Sequence, residues 1–216
     1  MDSGIDRGSG GRSLTDYPRP SVAVDTAVLV PDSELGLAVL QVRRTPGRGW
    51  ALPGTFLHPG ETLADAVKRS LDDKANIRGL TPRQLHVFDA PDRDDRGWVL
   101  SVAHVAVVPL DRVASRFVET TRLVPVSAPG RLIYDHADII ALAVDEVRAR
   151  YVAAPDPDAL LGDEFTLRDL RLVHEAVAGN ELQRDTFRRA METQIEPTGE
   201  RVTVGRGRPA ELFRRK

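Results

Sequence analysis

Residues 50–77, WALPGTFLHPGETLADAVKRSLDDKANI, decide the fold of this 216-residue chain. The first half of the stretch is rich in glycine and proline, which is typical of a loop. The second half has an aliphatic residue at every fourth position from Leu63 to Leu71, which is the spacing of an amphipathic helix. Thr62 is a favourable N-cap, and Asn76 is suited to end the helix. The stretch therefore predicts a loop that leads directly into a helix with one buried face.

Aliphatic and β-branched runs flank this loop and helix on both sides. Before the loop, Pro31, Asp32 and Gly36 separate two such runs, so we predict a hairpin. Further runs follow the helix, and this part of the chain ends in a long helix with apolar residues on one face. The predicted strands are 22–30, 37–43, 85–88 and 99–108, and the predicted helices are 62–76 and 135–151. Strands that alternate with helices predict a mixed α/β domain.

The rest of the chain is shorter and differently built. Prolines among alanines and aspartates mark 153–158 as a linker. The stretch 1–20 is rich in Gly, Ser and Arg and predicts a disordered tail. We therefore expect a first domain over 21–152 and a second domain over 159–216.

The second domain begins with two helices, predicted over 166–178 and 183–193, with Gly179 in the turn between them. A helix, a turn that contains glycine and a second, basic helix are typical of a helix-turn-helix. The runs 201–204 and 210–213 then flank a glycine-rich loop, which predicts a β-hairpin as the wing. The predicted fold class is therefore α/β (α+β), with a C-terminal winged helix-turn-helix domain.

Charge is distributed unevenly along the chain. The whole chain carries a net charge of −2, whereas 184–216 has nine basic and five acidic residues and therefore carries +4. A basic segment in an otherwise acidic chain indicates a local anionic partner. Because nucleic acid is the anion that a helix-turn-helix binds, we expect double-stranded DNA as a partner of the second domain.

Composition excludes several other classes of protein. The chain has no cysteine, so it has neither disulfides nor a cysteine-ligated zinc site, and this favours a cytoplasmic setting. Its apolar runs fall short of the roughly 20 residues that span a bilayer, so we expect no membrane partner. The apolar fraction of 41% is ordinary for a globular protein with a hydrophobic core.

The stretch 50–77 resembles a Nudix box together with the loop that precedes it. The family pattern is G-x5-E-x7-R-E-U-x-E-E-x-G-U, where U is aliphatic. The matching residues are Glu61, Arg69, Leu71 and Ile77. The residues that depart from the pattern are Thr55 and Asn76 at the glycines, and Ser70, Asp73 and Lys74 at the helix glutamates. The resemblance implies a Nudix-like α/β/α sandwich.

The departures fall on the residues that hold metal in the family. Three carboxylates on one helix face bind Mg²⁺, which neutralises a pyrophosphate and activates water. Here Ser70 supplies a hydroxyl and Lys74 a cation, so we predict no metal site, no catalytic residue and no hydrolysis. The Lys74 ammonium can instead contact the phosphates of a ligand directly; the alternative is a solvated helix lysine.

Further residues near the box are candidates for binding that ligand. Arg43 and Arg44 end a strand just before the loop and can bind phosphate, although arginines at such positions are often solvated. Trp50 can stack on a base or plug the core, and Arg69 can pair with Glu61 instead of the ligand. The predicted effector-binding residues are Arg43, Arg44, Trp50, Gly54, Arg69 and Lys74. The five histidines show no metal-ligand spacing, and we treat each as structural.

Several further segments resemble one group of Nudix-related proteins. These segments are DRDDRG at 92–97, SVA at 101–103, YDHADII at 134–140, FRRAM at 187–191, PTGE at 197–200 and GRGRPA at 205–210. They are similar to the NrtR family of transcriptional regulators of NAD metabolism, over about residues 20–216. The resemblance implies a homodimeric repressor that binds a palindromic operator near NAD biosynthesis or salvage genes. It also implies ADP-ribose or a related NAD metabolite as effector, and no cofactor.

Two parts of the second domain are expected to contact DNA. Arginines on its second helix can reach phosphates and guanine edges in the major groove. RGRP at 206–209 matches the core of an AT-hook, in which arginines enter a narrow minor groove; a solvated basic hairpin is the alternative. The predicted DNA-binding residues are Arg184, Thr186, Arg188, Arg189, Thr198, Arg206, Gly207 and Arg208. Two rival functions stay open: an active Mg²⁺-dependent ADP-ribose pyrophosphatase with a basic appendage, and an RNA-binding module.

Overall fold

Two units follow each other in the chain, and each has its own β-sheet. The computed structural model describes residues 13–44, 49–203 and 209–216. The first unit contains β1 (Ser21–Asp32), β2 (Gly36–Arg43), β3 (Trp50–Ala51), β4 (Gly54–Phe56), α1 (Leu63–Ala75), β5 (Arg83–Phe88), β6 (Val99–Val107), β7 (Thr121–Pro125) and α2 (His136–Ala153). The second contains β8 (Phe165–Thr166), α3 (Leu167–Ala178), α4 (Arg184–Met191), β9 (Ile195–Val202) and β10 (Ala210–Arg215). None of the helices in this described part of the chain is both long and apolar enough to cross a bilayer.

β1 lies at the centre of the first sheet, whose strand order is β3-β2-β1-β6-β5. It pairs antiparallel with β2 and parallel with β6, while β4 and β7 add to β1 and β2. Successive side chains of a strand point to opposite faces of the sheet. Val24 and Val28 therefore pack with α1 on one face, and Ala27 and Leu29 pack with α2 on the other. The α/β/α sandwich predicted from the sequence is confirmed.

Local hydrogen bonds fix both ends of α1, as the sequence predicts. The Thr62 hydroxyl accepts a hydrogen bond from the backbone N–H of Asp65 at 3.2 Å, and the Asp65 carboxylate accepts one from the Thr62 N–H at 3.1 Å. Asn76 ends the helix in the left-handed region, with φ of 53°. The apolar face packs on the sheet, where full burial of a side chain such as Leu71 contributes about 1.5–3 kcal/mol. The loop before α1 is therefore anchored to a rigid helix.

Four strands are not predicted from the sequence, three in the first unit and the two-residue β8 in the second. β3 and β4 lie in a stretch predicted to be a loop, and β7 lies where the sequence predicts no element. β3 and β4 have only two and three residues, so they carry no detectable period. β4 forms because β2 pairs with β1 only over Leu29–Asp32 and leaves Ala23–Asp25 free for another partner.

The N-terminal stretch also differs from its prediction. The sequence predicts a disordered tail over 1–20, but Leu14–Asp16 form a single 3-10 turn. The Ser13 hydroxyl accepts a hydrogen bond from the Thr15 N–H at 3.3 Å and caps this turn. A local capping box explains the order of so short a segment. Residues 1–12 lie outside the described part of the chain.

α3 and α4 form the predicted helix-turn-helix of the second unit. Thr166 caps α3 through a capping box with Asp169, and Gly179 ends it at a φ of 79°. α4 begins after Gln183, whose side chain accepts a hydrogen bond from the Thr186 N–H at 2.6 Å. The small core of this unit consists of Phe165, Leu170, Phe187, Met191 and Ile195.

The predicted wing is a hairpin of β9 and β10, but its first strand is longer than expected. The sequence predicts this strand over 201–204, whereas β9 begins at Ile195. The first half of β9 contains Pro197 and Gly199, which are both unfavourable in strands, so the sequence pattern does not predict a strand there. β9 lies at the edge of a sheet ordered β8-β10-β9, where a proline interrupts no inner ladder. The loop residues 204–208 lie outside the described part of the chain.

The second unit packs directly on the first. Val177 of α3 joins the core between the sheet and α2, and its carbonyl accepts a hydrogen bond from Arg148 of α2 at 3.1 Å. The predicted linker 153–158 is tied down between the units. Its Asp156 is buried and accepts a hydrogen bond from Arg215 of β10 at 2.7 Å. The two units therefore share apolar contacts as well as a connecting segment.

Candidate functional site

A cavity of about 460 Å³ opens in the first unit between the end of β2, the loop around β4, α1 and the start of α2. Its cationic lining residues are Arg43, Arg44, Lys74, Arg93 and Arg96, and its acidic ones are Asp25, Asp73 and Asp94. Its aromatic lining residues include Phe56, Phe117 and Tyr134. A volume of this size with convergent charged groups is typical of a small-molecule site.

Four of the six predicted effector-binding residues come together in this cavity, namely Arg43, Arg44, Gly54 and Lys74. Trp50 and Arg69 lie outside its lining. The Trp50 ring is covered by the Arg122 guanidinium, whose central carbon lies 4.2 Å from the ring centroid. Arg69 donates to the Glu61 carboxylate at 2.7 Å and to the Phe56 carbonyl at 2.9 Å. This geometry favours the structural alternatives for Trp50 and Arg69.

A buried acid, Asp25 of β1, lies at the base of the cavity and is only 7% exposed. Its carboxylate accepts a hydrogen bond from the Ser101 hydroxyl of β6 at 2.6 Å. His136 Nε2 lies 3.3 Å from one carboxylate oxygen, and the Arg93 guanidinium lies 3.7 Å from the other. Burial acts to raise the pKa of Asp25, but these three partners together hold it below its usual range. The carboxylate is therefore ionised at neutral pH.

The start of α2 is tied to this acid. The backbone N–H of Leu52 donates to His136 Nδ1 at 2.9 Å, so the proton of a neutral ring lies on Nε2, which faces Asp25. The preceding residue, Asp135, accepts two hydrogen bonds from Arg93, at 2.6 and 2.8 Å. The first turn of α2 is thus held by the same groups that line the cavity.

Gly54 is required by a close approach of two strands. It pairs with Asp25 across β4 and β1. A Cβ atom at position 54 would lie 1.9 Å from a carboxylate oxygen of Asp25 and 2.8 Å from the Val24 carbonyl oxygen. Such contacts are far shorter than van der Waals distance, so any larger residue must displace the buried carboxylate.

Lys74 reaches into the cavity from α1 and donates a hydrogen bond to the Gly54 carbonyl. Burial lowers the pKa of the Lys74 ammonium, and the positive charge of Arg44 lowers it further. Asp25 acts in the opposite direction. Lys74 and Arg44 come from different elements and repel each other across the cavity. An anion between them would be attracted by both.

Aromatic rings and guanidinium groups alternate at one wall of the cavity. The central carbon of Arg96 lies 4.9 Å from the Phe56 ring centroid and 5.1 Å from that of Tyr134. Arg44 lies 5.8 Å from the same Tyr134 ring. The Tyr134 backbone has φ of 53°, an unfavourable value for a bulky residue that typically costs about 1–3 kcal/mol. This strained residue lies two positions before the first residue of α2.

The carboxylates that a Nudix box uses for Mg²⁺ do not come together here. Ser70 is buried, and its hydroxyl has no hydrogen-bond partner among the described residues. Glu61 accepts hydrogen bonds from Arg69 and from the His58 N–H, which lower its pKa to about 2. Asp73 remains as a carboxylate of α1 in the cavity lining. In the part of the chain that the structure describes, no three His, Asp or Glu side chains form a group that could hold a metal ion. The donor set does not fit Mg²⁺.

Several lining residues are not predicted from the sequence. Asp25 is the single acid inside an apolar run. Because burying a charge is unfavourable unless it is paired, an acid inside a buried strand indicates a buried polar site. Arg93 and Arg96 lie in the DRDDRG segment, and Tyr134 and His136 lie in the YDHADII segment. Both segments carry the family resemblance, but their positions relative to the cavity depend on the tertiary fold.

A basic helix face lies in the second unit. On α4, Arg184, Thr186, Arg188 and Arg189 are exposed, whereas Phe187 is buried in the core of the unit. A smaller cavity of about 140 Å³ is lined by Arg184 and Arg188 together with the arginines of α3, Arg168 and Arg171. Positive charge gathered on one face attracts the phosphate backbone of a nucleic acid. Arg168 of α3 belongs to this basic surface but is not among the DNA-binding residues predicted from the sequence.

The remaining predicted DNA-binding residues lie in the wing. The Thr198 hydroxyl donates to the Leu212 carbonyl at 3.3 Å, so Thr198 links β9 to β10. Arg206, Gly207 and Arg208 lie outside the described residues. Their contact with a minor groove stays a prediction.

Known proteins match both units. A NUDIX domain family model matches residues 19–142, and the model of the NrtR DNA-binding winged helix domain matches residues 158–215. The ADPR responsive transcriptional repressor NtrR of Acinetobacter baylyi is 29% identical over 212 residues, which cover 93% of this chain and 84% of that protein.

Two further similarities concern a solved structure and an enzyme. Shewanella oneidensis NrtR in complex with a 27mer DNA is 30% identical with a TM-score of 0.74, covering 90% of this chain and 93% of that chain. The ADP-ribose pyrophosphatase of Methanocaldococcus jannaschii is 30% identical over 126 residues, which cover 57% of this chain and 73% of that protein.

A Nudix domain followed by a winged helix defines the class: this is a two-domain protein that joins a hydrolase-type fold to a DNA-binding domain. More specifically, the chain belongs to the NrtR family of Nudix-related transcriptional regulators. The family predicted from the box and the C-terminal segments is confirmed. Its established relatives favour a regulator over an enzyme.

Proposed function

We propose that this chain is a transcriptional repressor of NAD biosynthesis or salvage genes, and that ADP-ribose or a related NAD metabolite in the Nudix domain releases it from DNA. The observation that carries the proposal is a cation-rich cavity whose lining includes His136, the first residue of α2. The connecting segment 154–164 follows α2 and leads to the winged helix, and Arg148 of α2 donates a hydrogen bond to the Val177 carbonyl of α3. A ligand in the cavity therefore touches an element that both units contact.

The chemistry of the cavity suits ADP-ribose. Its diphosphate can lie between Lys74 and Arg44, where a charge-assisted hydrogen bond typically contributes about 1.5–3 kcal/mol. Phe56 and Tyr134 offer flat surfaces for the adenine ring, and the Asp73 carboxylate offers acceptors for ribose hydroxyls. The relative from Acinetobacter baylyi, a repressor responsive to ADPR, supports the same ligand.

The Nudix domain binds this ligand without hydrolysing it. Hydrolysis in the family depends on Mg²⁺ held by helix carboxylates. Ser70 and Lys74 stand at two of those positions, and Glu61 is engaged by Arg69. The similarity to a pyrophosphatase therefore concerns the fold and the ligand-binding frame, while the residues that activate water are missing.

The winged helix binds duplex DNA, with α4 in the major groove. Arg184, Arg188 and Arg189 are exposed on this helix and can contact phosphates or guanine edges. The wing arginines Arg206 and Arg208 are proposed to enter the adjacent minor groove. Binding as a homodimer places two such helices on the half-sites of a palindromic operator.

α2 is proposed to couple the cavity to the DNA-binding helix. It has 18 residues and is therefore about 27 Å long. His136 at its start lines the cavity, while Tyr151 near its end stacks edge-on against His174 of α3 with ring centroids 5.1 Å apart. His174 in turn stacks against Phe187 of α4 at 4.9 Å. A movement of α2 can therefore be transmitted to the buried face of α4, the proposed DNA-recognition helix, through these aromatic rings.

Fluorescence anisotropy with a labelled duplex from the gene's own upstream region tests this function. We expect salt-dependent binding to the duplex, release by ADP-ribose and no release by AMP at the same concentration. A structured RNA of equal length serves as the competitor control. Tighter binding to the RNA than to the duplex, or a complex that ADP-ribose leaves intact, contradicts the proposal.

A further inference from the structure

We propose that the cavity holds the diphosphate of its ligand without a divalent metal, and that the Lys74 ammonium serves as the cation in place of Mg²⁺. This inference rests on the proposed function, because it concerns how the same site holds ADP-ribose.

Lys74 occupies a position on α1 where the Nudix pattern has a glutamate. From there its ammonium reaches the Gly54 carbonyl, and it lines the cavity together with Arg44. Asp25, which pairs with Gly54 across the strands, attracts the ammonium electrostatically. A cation bound by a carbonyl oxygen and attracted by a carboxylate has the surroundings of a hard metal ion. In this chain that cation is covalently part of the protein.

A second cation is unfavourable at this place. Arg44, Arg69 and Arg96 already act on Lys74 as like charges. Mg²⁺ would add two further positive charges among them, with Asp73 as its carboxylate partner from α1 in the cavity lining. A diphosphate instead adds negative charge that attracts each of these cations, and this attraction offsets their mutual repulsion. The electrostatics of the cavity therefore favour the ligand alone over the ligand with Mg²⁺.

The replacement also separates binding from hydrolysis. A metal ion lowers the pKa of a bound water and so generates a nucleophile, whereas an ammonium group coordinates no water in this way. ADP-ribose is therefore bound intact, and its affinity does not follow the concentration of free Mg²⁺. Both properties suit a domain that reports the level of a metabolite.

Isothermal titration of the full chain with ADP-ribose tests the inference on the unaltered protein. We expect dissociation constants within about twofold of each other in EDTA and in excess Mg²⁺, because Mg²⁺ makes no contact with the ligand. One lost charge-assisted hydrogen bond would change the affinity by about tenfold or more. Binding that requires Mg²⁺ overturns the inference and leaves the proposed effector standing. Binding in neither buffer overturns the proposed effector itself, and the inference with it.

Three variants locate the cation, each checked for an unchanged circular dichroism spectrum. Lys74→Met should weaken ADP-ribose binding about 10- to 100-fold in both buffers, because a charge-assisted contact is lost. Lys74→Glu should weaken it further in EDTA, and Mg²⁺ should restore part of the loss because a carboxylate now stands beside Asp73. Lys68→Met, at an exposed position of the same helix, is the matched control and should bind like the wild type. Equal affinities of the Lys74→Met and Lys68→Met variants overturn the inference.

Discussion

Asp25 and His136 lie 3.3 Å apart, from carboxylate oxygen to Nε2, and they join the central strand of the sheet to the first residue of α2. Both residues line the cavity that is proposed to hold ADP-ribose. Gly54 packs its backbone against the same carboxylate, and its carbonyl accepts the hydrogen bond from Lys74. The ligand site and the origin of α2 therefore share one hydrogen-bonded centre.

Gly54→Ala tests how closely this centre is packed. The new methyl group must displace the Asp25 carboxylate, which would otherwise lie 1.9 Å away. We expect a loss of about 1–3 kcal/mol in the free energy of unfolding, measured by urea denaturation, together with weaker ADP-ribose binding. Gly162→Ala is the control, because the nearest atom to its added Cβ lies 3.9 Å away. Equal stability of the two variants would show that the Asp25 carboxylate moves freely.

Glu61→Gln tests the anchoring of the loop before α1. The folded-state pKa of Glu61 is lowered to about 2, from 4.5, first by the hydrogen bond from Arg69 and then by that from the His58 N–H. A lowered folded-state pKa contributes stability that is fully present above pH 4.5 and is lost as the pH falls towards 2.

The measurement is the free energy of unfolding as a function of pH between 7 and about 2. We expect the Glu61→Gln variant to be less stable at pH 7 and to lose less stability below pH 4.5 than the wild type. Glu34→Gln, at an exposed position in the turn between β1 and β2, should follow the wild-type curve. Parallel curves for the Glu61→Gln variant and the wild type would contradict the role of this carboxylate.

His174→Ala tests the coupling through buried aromatic rings. The change removes the ring that lies between Tyr151 of α2 and Phe187 of α4. We expect the variant to bind ADP-ribose with wild-type affinity in calorimetry but to need at least about 10-fold more ligand for DNA release, a coupling loss of about 1.4 kcal/mol. His86→Ala, at an exposed position of β5, is the control. Normal release by the His174→Ala variant would place the coupling elsewhere.

Arg188→Ala tests the DNA face of α4. The side chain is exposed beside Arg184, where positive charge is gathered. If it contacts a phosphate, the variant should bind duplex DNA more weakly, and the slope of log K against log salt should fall by about 1. Arg78→Ala in the first unit is the matched control, because this arginine is exposed and bonded to Asp72. An unchanged slope in the Arg188→Ala variant would remove this residue from the phosphate contacts.

Elements with local signals could be predicted from the sequence. Thr62, Asp65 and Asn76 define α1, and Thr166 and Gly179 define α3, because caps act on the backbone within one turn. The departures from the Nudix pattern at Ser70 and Lys74 were also visible directly. Such features depend only on neighbouring residues in the chain, so they can be recognised without knowledge of the fold.

The centre of the cavity could not be predicted in the same way. Asp25 meets Ser101 because β1 and β6 run parallel, and it meets His136 because α2 packs on the same face of the sheet. Arg69 and Lys74 lie five residues apart on α1, and both are cationic candidates for binding the ligand. In the structure Arg69 pairs with Glu61, whereas Lys74 lines the cavity. Only the tertiary fold separates the residue that supports the loop from the one that faces the ligand.

One titration can follow both DNA release and the fate of the ligand in the same sample. The full chain on its labelled operator duplex is titrated with ADP-ribose in the presence of Mg²⁺, anisotropy reports the release, and chromatography then measures the ligand that remains. We expect complete release with ADP-ribose recovered intact, and the same titration curve in EDTA. DNA that stays bound, or conversion of ADP-ribose to AMP and ribose 5-phosphate at an enzymatic rate, would contradict it.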